Sequence, residues 1–129
     1  MMADDIATKL QTSSIGTIGT DIFIGHMPDA PDNCIALMQN GGDPPEVVGG
    51  ITSQIEYPRL IVRVRNTSYS AGMSKANSIL KALHTVGDTN LSSHRYLFIR
   101  AIGSINQLGR DHENRSLFSI DFAVTKEMD

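Results

Sequence analysis

The strongest constraint on the fold lies between Tyr57 and His84, where an alternating pattern runs through a polar turn directly into a helical one. From Arg59 to Asn66, Leu60, Val62 and Val64 share one face, and Arg59, Ile61, Arg63 and Arg65 share the other. That period of two is the signature of a half-buried strand. After the turn, Ala76, Ile79, Leu80 and Leu83 recur at helical spacing and predict an amphipathic helix over residues 70–84. Gly87 and Asp88-Thr89-Asn90 read as its end. The unit holds no catalytic group and points to an α+β domain.

The flanking segments extend this pattern. Ile6, Ala7 and Leu10 mark one face of a short helix from Ala3 to Gln11, with Asp4 and Asp5 favourably placed at its N-terminal dipole. Thr20 to Gly25 and Cys34 to Gln39 read as short strands, separated by a turn rich in Pro and Asp from His26 to Asp32. Residues 40–50 carry two glycine pairs around Pro44-Pro45 and are expected to form a loop, able to sustain neither helix nor ladder. Arg95 to Ser104 is apolar on both faces and is expected to be a central strand. A charged turn leads from it into Arg115 to Thr125, where Phe118, Ile120, Phe122 and Val124 face inward, so the two strands are expected to form an antiparallel hairpin. The expectation is one domain over residues 1–129: α+β, with a mainly antiparallel or mixed sheet of four to five strands flanked by two helices.

Composition narrows the chemistry. Of 129 residues, 40% are hydrophobic and only 5% aromatic, which suits a thin domain that completes its burial against copies of itself. The formal charge of −3 gives no electrostatic reason to expect strong nucleic-acid binding. With Cys34 as the sole cysteine there is no internal disulfide and no CxxC motif; in its apolar run it is expected to be buried and inert. His26, His84, His94 and His112 fall in separate segments without an HxH or HExxH pair, so no metal site is expected. No GxSxG elbow is present, and Gly16-Thr-Ile-Gly19 lacks the lysine of a phosphate loop. The chain is read as non-enzymatic and without a cofactor. Its acidic N-terminus has no signal-peptide pattern, and no apolar run nears the roughly 18 residues of a membrane span. Synthesis and assembly in a cytoplasm are the expectation.

Three features remain as candidate interaction surfaces. Arg59, Arg63 and Arg65 line one strand face, either as a basic wall toward nucleic acid or an acidic partner, or paired with carboxylates such as Asp121 and Glu127 on adjacent strands. An inter-subunit contact would fit both readings. The segment around Asp43, Pro44 and Pro45 is either a solvated connection or a partner contact. The turn holding Arg110, Asp111, His112 and Glu113 is either a solvated hairpin tip or a polar knob that docks on another protein.

Four segments stand in order: Pro28-Asp-Ala-Pro-Asp-Asn-Cys-Ile-Ala-Leu, Gly41-Gly-Asp-Pro-Pro, Arg59-Leu-Ile-Val-Arg-Val-Arg with its following turn and helix, and Leu108-Gly-Arg-Asp through Arg115-Ser-Leu-Phe-Ser-Ile-Asp-Phe. This ordered set resembles the small minor capsid proteins of tailed bacteriophages, of the tail-terminator or tail-completion type. The resemblance implies an assembly protein of the virion, at the head-proximal end of the tail. It implies a homo-oligomeric ring, typically a hexamer, that caps the tail tube, ends polymerisation of the tube protein and presents a surface to the head–tail connector or stopper. DNA would pass through the lumen without sequence-specific binding, and no membrane is involved. The resemblance carries no catalytic residues. Two other readings are a head–tail stopper or neck protein, and an unrelated α+β protein-binding module.

Overall fold

The computed structural model describes residues 2–45, 47–48, 51–52, 55–84 and 86–128. In chain order the elements are α1 (Met2–Thr12), β1 (Ile22–Ile24), β2 (Cys34–Asp43), β3 (Val47–Val48), β4 (Ile51–Thr52), β5 (Ile55–Asn66), α2 (Tyr69–Leu83), β6 (Thr89–Leu91), β7 (His94–Ala101), β8 (Asn106–Arg110) and β9 (Ser116–Glu127). Seven strands form one sheet in the order β1-β2-β5-β9-β7-β6, with β8 paired to β9; β3 and β4 form a separate two-stranded sheet. β1 runs parallel to β2 and the other pairings are antiparallel, so the sheet is mixed. It is also larger than the four to five strands expected.

The inner face of the sheet is set by the alternation in β5 and β9. Leu60, Val62 and Val64 stand opposite Phe122, Ile120 and Phe118, and all six are buried. Ile6, Ala7 and Leu10 of α1, and Ala76, Ile79 and Leu83 of α2, complete the same apolar cluster. Both helices therefore lie on one face of the sheet. α2 begins where Ser68 Oγ accepts the Ala71 N–H at 3.3 Å, an N-cap that the Asn-Thr-Ser turn supplies directly after β5. Gly72 lets the helix come close to the sheet, since a Cβ there would sit 2.5 Å from Phe118 Cε2.

Several expectations give way. β7 is not central: β5 and β9 are, and β7 leaves Phe98 about two-fifths exposed. The hairpin turn joins β8, rather than β7, to β9; β7 and β8 follow one another along the same edge of β9, separated by residues 102–105. Thr89 and Asn90, read as the end of a helix, form β6 with Leu91 instead, paired to β7.

The glycine-proline segment is not simply a loop. β2 continues through Gly41, Gly42 and Asp43 as a ladder partner of Pro58 and Tyr57, with a bulge between Gln39 and Gly42. Pro58 offers no N–H to that ladder, and a bulge is where a sheet tolerates such a residue. Gly41 and Gly42 take φ values of +66° and +117°, and a Cβ on Gly42 would collide with the Tyr57 carbonyl oxygen. Glycine is what lets the strand cross the proline.

Candidate functional site

Among the described residues no helix lies on the outer face of the sheet. Cross-strand register puts Arg59, Ala123 and Arg100 in one row, Met38, Ile61 and Asp121 in the next, and Ala36, Arg63, Ser119 and Asn106 in a third. Arg59, Arg63 and Arg100 are exposed, whereas Met38, Ile61, Asp121 and Ala123 are half-buried. Phe98 and Ile102 flank the patch at 41% and 45% exposure. Asp121 is the diagonal neighbour of all three arginines, at a Cα spacing of about 7–8 Å. Among the described residues the three arginines make no ion pair. Glu127, expected to face the strand arginines, pairs with Arg95 at 3.1 Å.

Arg65 leaves this exposed set. It is 4% exposed, with Nε donating to the Asp32 carbonyl at 3.0 Å and Nη2 donating to the Pro28 and Pro31 carbonyls at 2.5 and 2.7 Å. Arg115, which the sequence placed merely at the start of a strand, is the second fastening. Its Nε donates to Asp111 Oδ2 at 2.8 Å, and its Nη1 donates to the Asp29 carbonyl at 2.6 Å and to Asp32 Oδ1 at 3.1 Å. Two buried guanidinium groups thus clamp the Pro28–Asp32 connection to the sheet. The density of aspartates and prolines just before Cys34 was the only sequence signal of this clamp.

The charged turn is correspondingly split between fastening and free surface. Asp111 Oδ1 accepts the backbone N–H groups of Glu113 and Arg115 at 3.0 and 2.9 Å. Burial raises the Asp111 carboxyl, but the backbone and guanidinium donors of Arg115 and the N–H of Glu113 outweigh it and hold the group below its ordinary pKa. Arg115 is disfavoured as a cation by burial, yet its bond to Asp111 and the charges of Asp111 and Glu113 keep its pKa raised. Arg110 is exposed and donates to the Asn114 carbonyl at 3.1 Å. The His112 and Glu113 side chains are 70% and 54% exposed. Asp29 and Glu113 reach Arg115 only at 3.5 and 3.6 Å.

Asp43 and Pro44 are exposed and Pro45 half-buried, at the mouth of the segment that leads to β3 and β4. The arginine strand face and the charged turn therefore lie on the sheet body; Asp43 ends β2 on the same sheet, and Pro44 and Pro45 follow it.

Buried side-chain polar groups elsewhere, among the described residues, are committed to structure. Asp5 of α1 is 3% exposed and accepts from Tyr96 Oη at 2.7 Å, with His94 Nδ1 at 2.9 Å. Lys126, fully buried, donates to Glu56 Oε1 at 2.9 Å and lies 5.6 Å from the centre of the Tyr96 ring. A cavity of about 230 Å³ is lined in part by Asp21, Cys34, Arg65 and Lys75. There Lys75 Nζ is bound to the Ile15 carbonyl at 2.7 Å, and burial raises the pKa of the Cys34 thiol against the opposing pull of Arg65 and Arg115. No group of His, Cys, Asp or Glu among the described residues is placed to hold a metal ion. No helix among them is long and apolar enough to cross a membrane.

Comparison with known proteins gives these surfaces a context. None of the curated proteins compared with the chain matches it. Among solved structures it is similar to a chain in the virion of a native gene transfer agent particle, with 14% sequence identity, a TM-score of 0.67, and 95% of this chain and 91% of that one covered. At that identity the likeness concerns the fold. The family model described as bacteriophage tail terminator protein matches residues 9–128. The chain belongs to the bacteriophage tail terminator family and is a structural component of phage tail assembly.

Proposed function

We propose that this protein assembles into a closed ring, a hexamer, that caps the head-proximal end of the tail tube, stops addition of tube subunits and offers its opposite side to the head–tail connector. The observation that carries this reading is the family match over residues 9–128. The fold is compatible with it: a two-layer domain with one sheet face free of helices resembles a tile more than a vessel, and the buried side-chain polar groups among its described residues all have partners. The ribbon from Asn40 through β3 and β4 is the contact toward the tube or the connector. It supplies exposed Asp43 and Pro44 and leaves the main sheet after Asp43, the last residue of β2 paired with β5. DNA passes through the lumen without sequence-specific contacts.

The test is to add the purified protein to tube subunits during polymerisation in vitro. Electron microscopy should then show short tubes, each closed at one end by a ring. Tubes that grow to the same length with and without the protein would overturn capping. If the protein instead bound only preformed head connectors, the neck reading would replace it.

A further inference from the structure

We infer that the bare sheet face centred on Arg59, Arg63 and Arg100 is the seat of the neighbouring subunit, and that it receives the acidic loop cluster of a second copy of this chain. The inference rests on the ring reading and adds which two surfaces meet.

The face combines two properties that rarely coexist on a surface left to water. Strands β2, β5 and β9 present Met38, Ile61 and Ala123 half-buried, with Phe98 and Ile102 exposed beside them. Among these stand three arginines with a single carboxylate, Asp121, in their midst. Arginine and aromatic side chains over an apolar floor are the composition of protein interface centres. A phosphate backbone would use the guanidinium groups and leave Ile61, Phe98 and Ile102 unserved. The occupant is therefore protein, with an acidic surface.

The chain carries that complement itself. Its formal charge is −3 even with this basic face included, so the remainder of its surface is more acidic still. Carboxylates gather where Asp29, Asp32, Asp111 and Glu113 surround Arg115. Asp111 is consumed by that contact, but the Asp29 and Glu113 side chains are 80% and 54% exposed and reach Arg115 only at 3.5 and 3.6 Å, with Glu113 Oε1 also 3.8 Å from His112 Nε2, so both carboxylates stay open to a partner from outside. A contact from the loop cluster of one copy to the arginine face of the next, repeated in one sense, is heterologous, the kind that closes into rings.

Complementary charge reversal tests this. Arg59→Glu with Arg63→Glu makes the face acidic, and Asp29→Lys with Glu113→Lys makes the cluster basic. Each pair alone should weaken self-association by about tenfold or more, in solution or on tube ends, because like charges then meet. Mixed in equal amounts, the two variants should regain the wild-type mass by light scattering as alternating rings. Circular dichroism of each variant alone establishes that it is folded. Wild-type rings with both variants assembling normally would overturn this contact and leave the ring reading intact. So would two folded, monomeric variants that stay apart on mixing, or an arginine variant whose only loss is DNA retention. A wild-type chain that never self-associates, even on tubes, would overturn both.

Discussion

The Asp111 carboxylate accepts from the N–H groups of Glu113 and Arg115 and from Arg115 Nε, while that guanidinium reaches on to Asp29 and Asp32. Because its folded-state pKa lies below the ordinary 3.8, the unfolded chain takes up a proton more readily than the folded one. The resulting stabilisation is complete above that ordinary value and is lost as pH falls through the folded-state pKa. Melting temperatures followed from roughly pH 6 down to pH 2 should show wild type converging on Asp111→Asn below about pH 4. Parallel curves would contradict the role given to this carboxylate. In the sequence alone Arg110, Asp111, His112 and Glu113 are equivalent members of a polar tip. Their division into fastening and free surface depends on the 28–32 connection folding back onto the turn, a contact between residues more than 80 apart. No local pattern encodes such a contact.

At the scale of elements, α1, α2, β5 and β9 were legible because each is long enough to display its period and has one face that must be dry. The shorter pieces were not. β6 has three residues, Thr-Asn-Leu, which read equally well as a helix end, and β8 includes a glycine and leaves all five residues exposed. In residues 40–43 the glycines signalled a loop although they serve a bulge opposite Pro58. Two variants probe this level. Gly72→Ala improves helix propensity by about 1 kcal/mol but drives a methyl into the Phe118 ring. Overpacking of about 1–3 kcal/mol should win, lowering the urea midpoint; an unchanged or raised midpoint would mean that α2 is not seated as described. Replacing residues 44–53 by a short Gly-Ser linker removes a two-stranded element that lies outside the main sheet. An isolated hairpin contributes little stability of its own, so the melting temperature should stay within a few degrees while tube capping is lost. If both were retained, the ribbon would have no part in docking.

For the whole molecule, the part of the outer sheet face around Arg59, Arg63 and Arg100, and the β3–β4 pair outside the main sheet, are what the chain leaves unfinished. A sheet half-covered by two helices is stable enough to fold, with its inner apolar surface sealed by α1 and α2. Its remaining surfaces are completed from outside. The family and the α+β class were readable from ordered segments along the chain. The bare face was only half readable, since the alternation in β5 predicted an arginine side but gave no sign that Arg100 joins it or that Arg65 departs from it. Tail length in particles assembled without this protein is the most direct test of the central claim. Electron micrographs should show tubes that overrun the normal length and end raggedly, restored to uniform length when the protein is supplied. Tails of normal, uniform length that merely fail to join heads would contradict it.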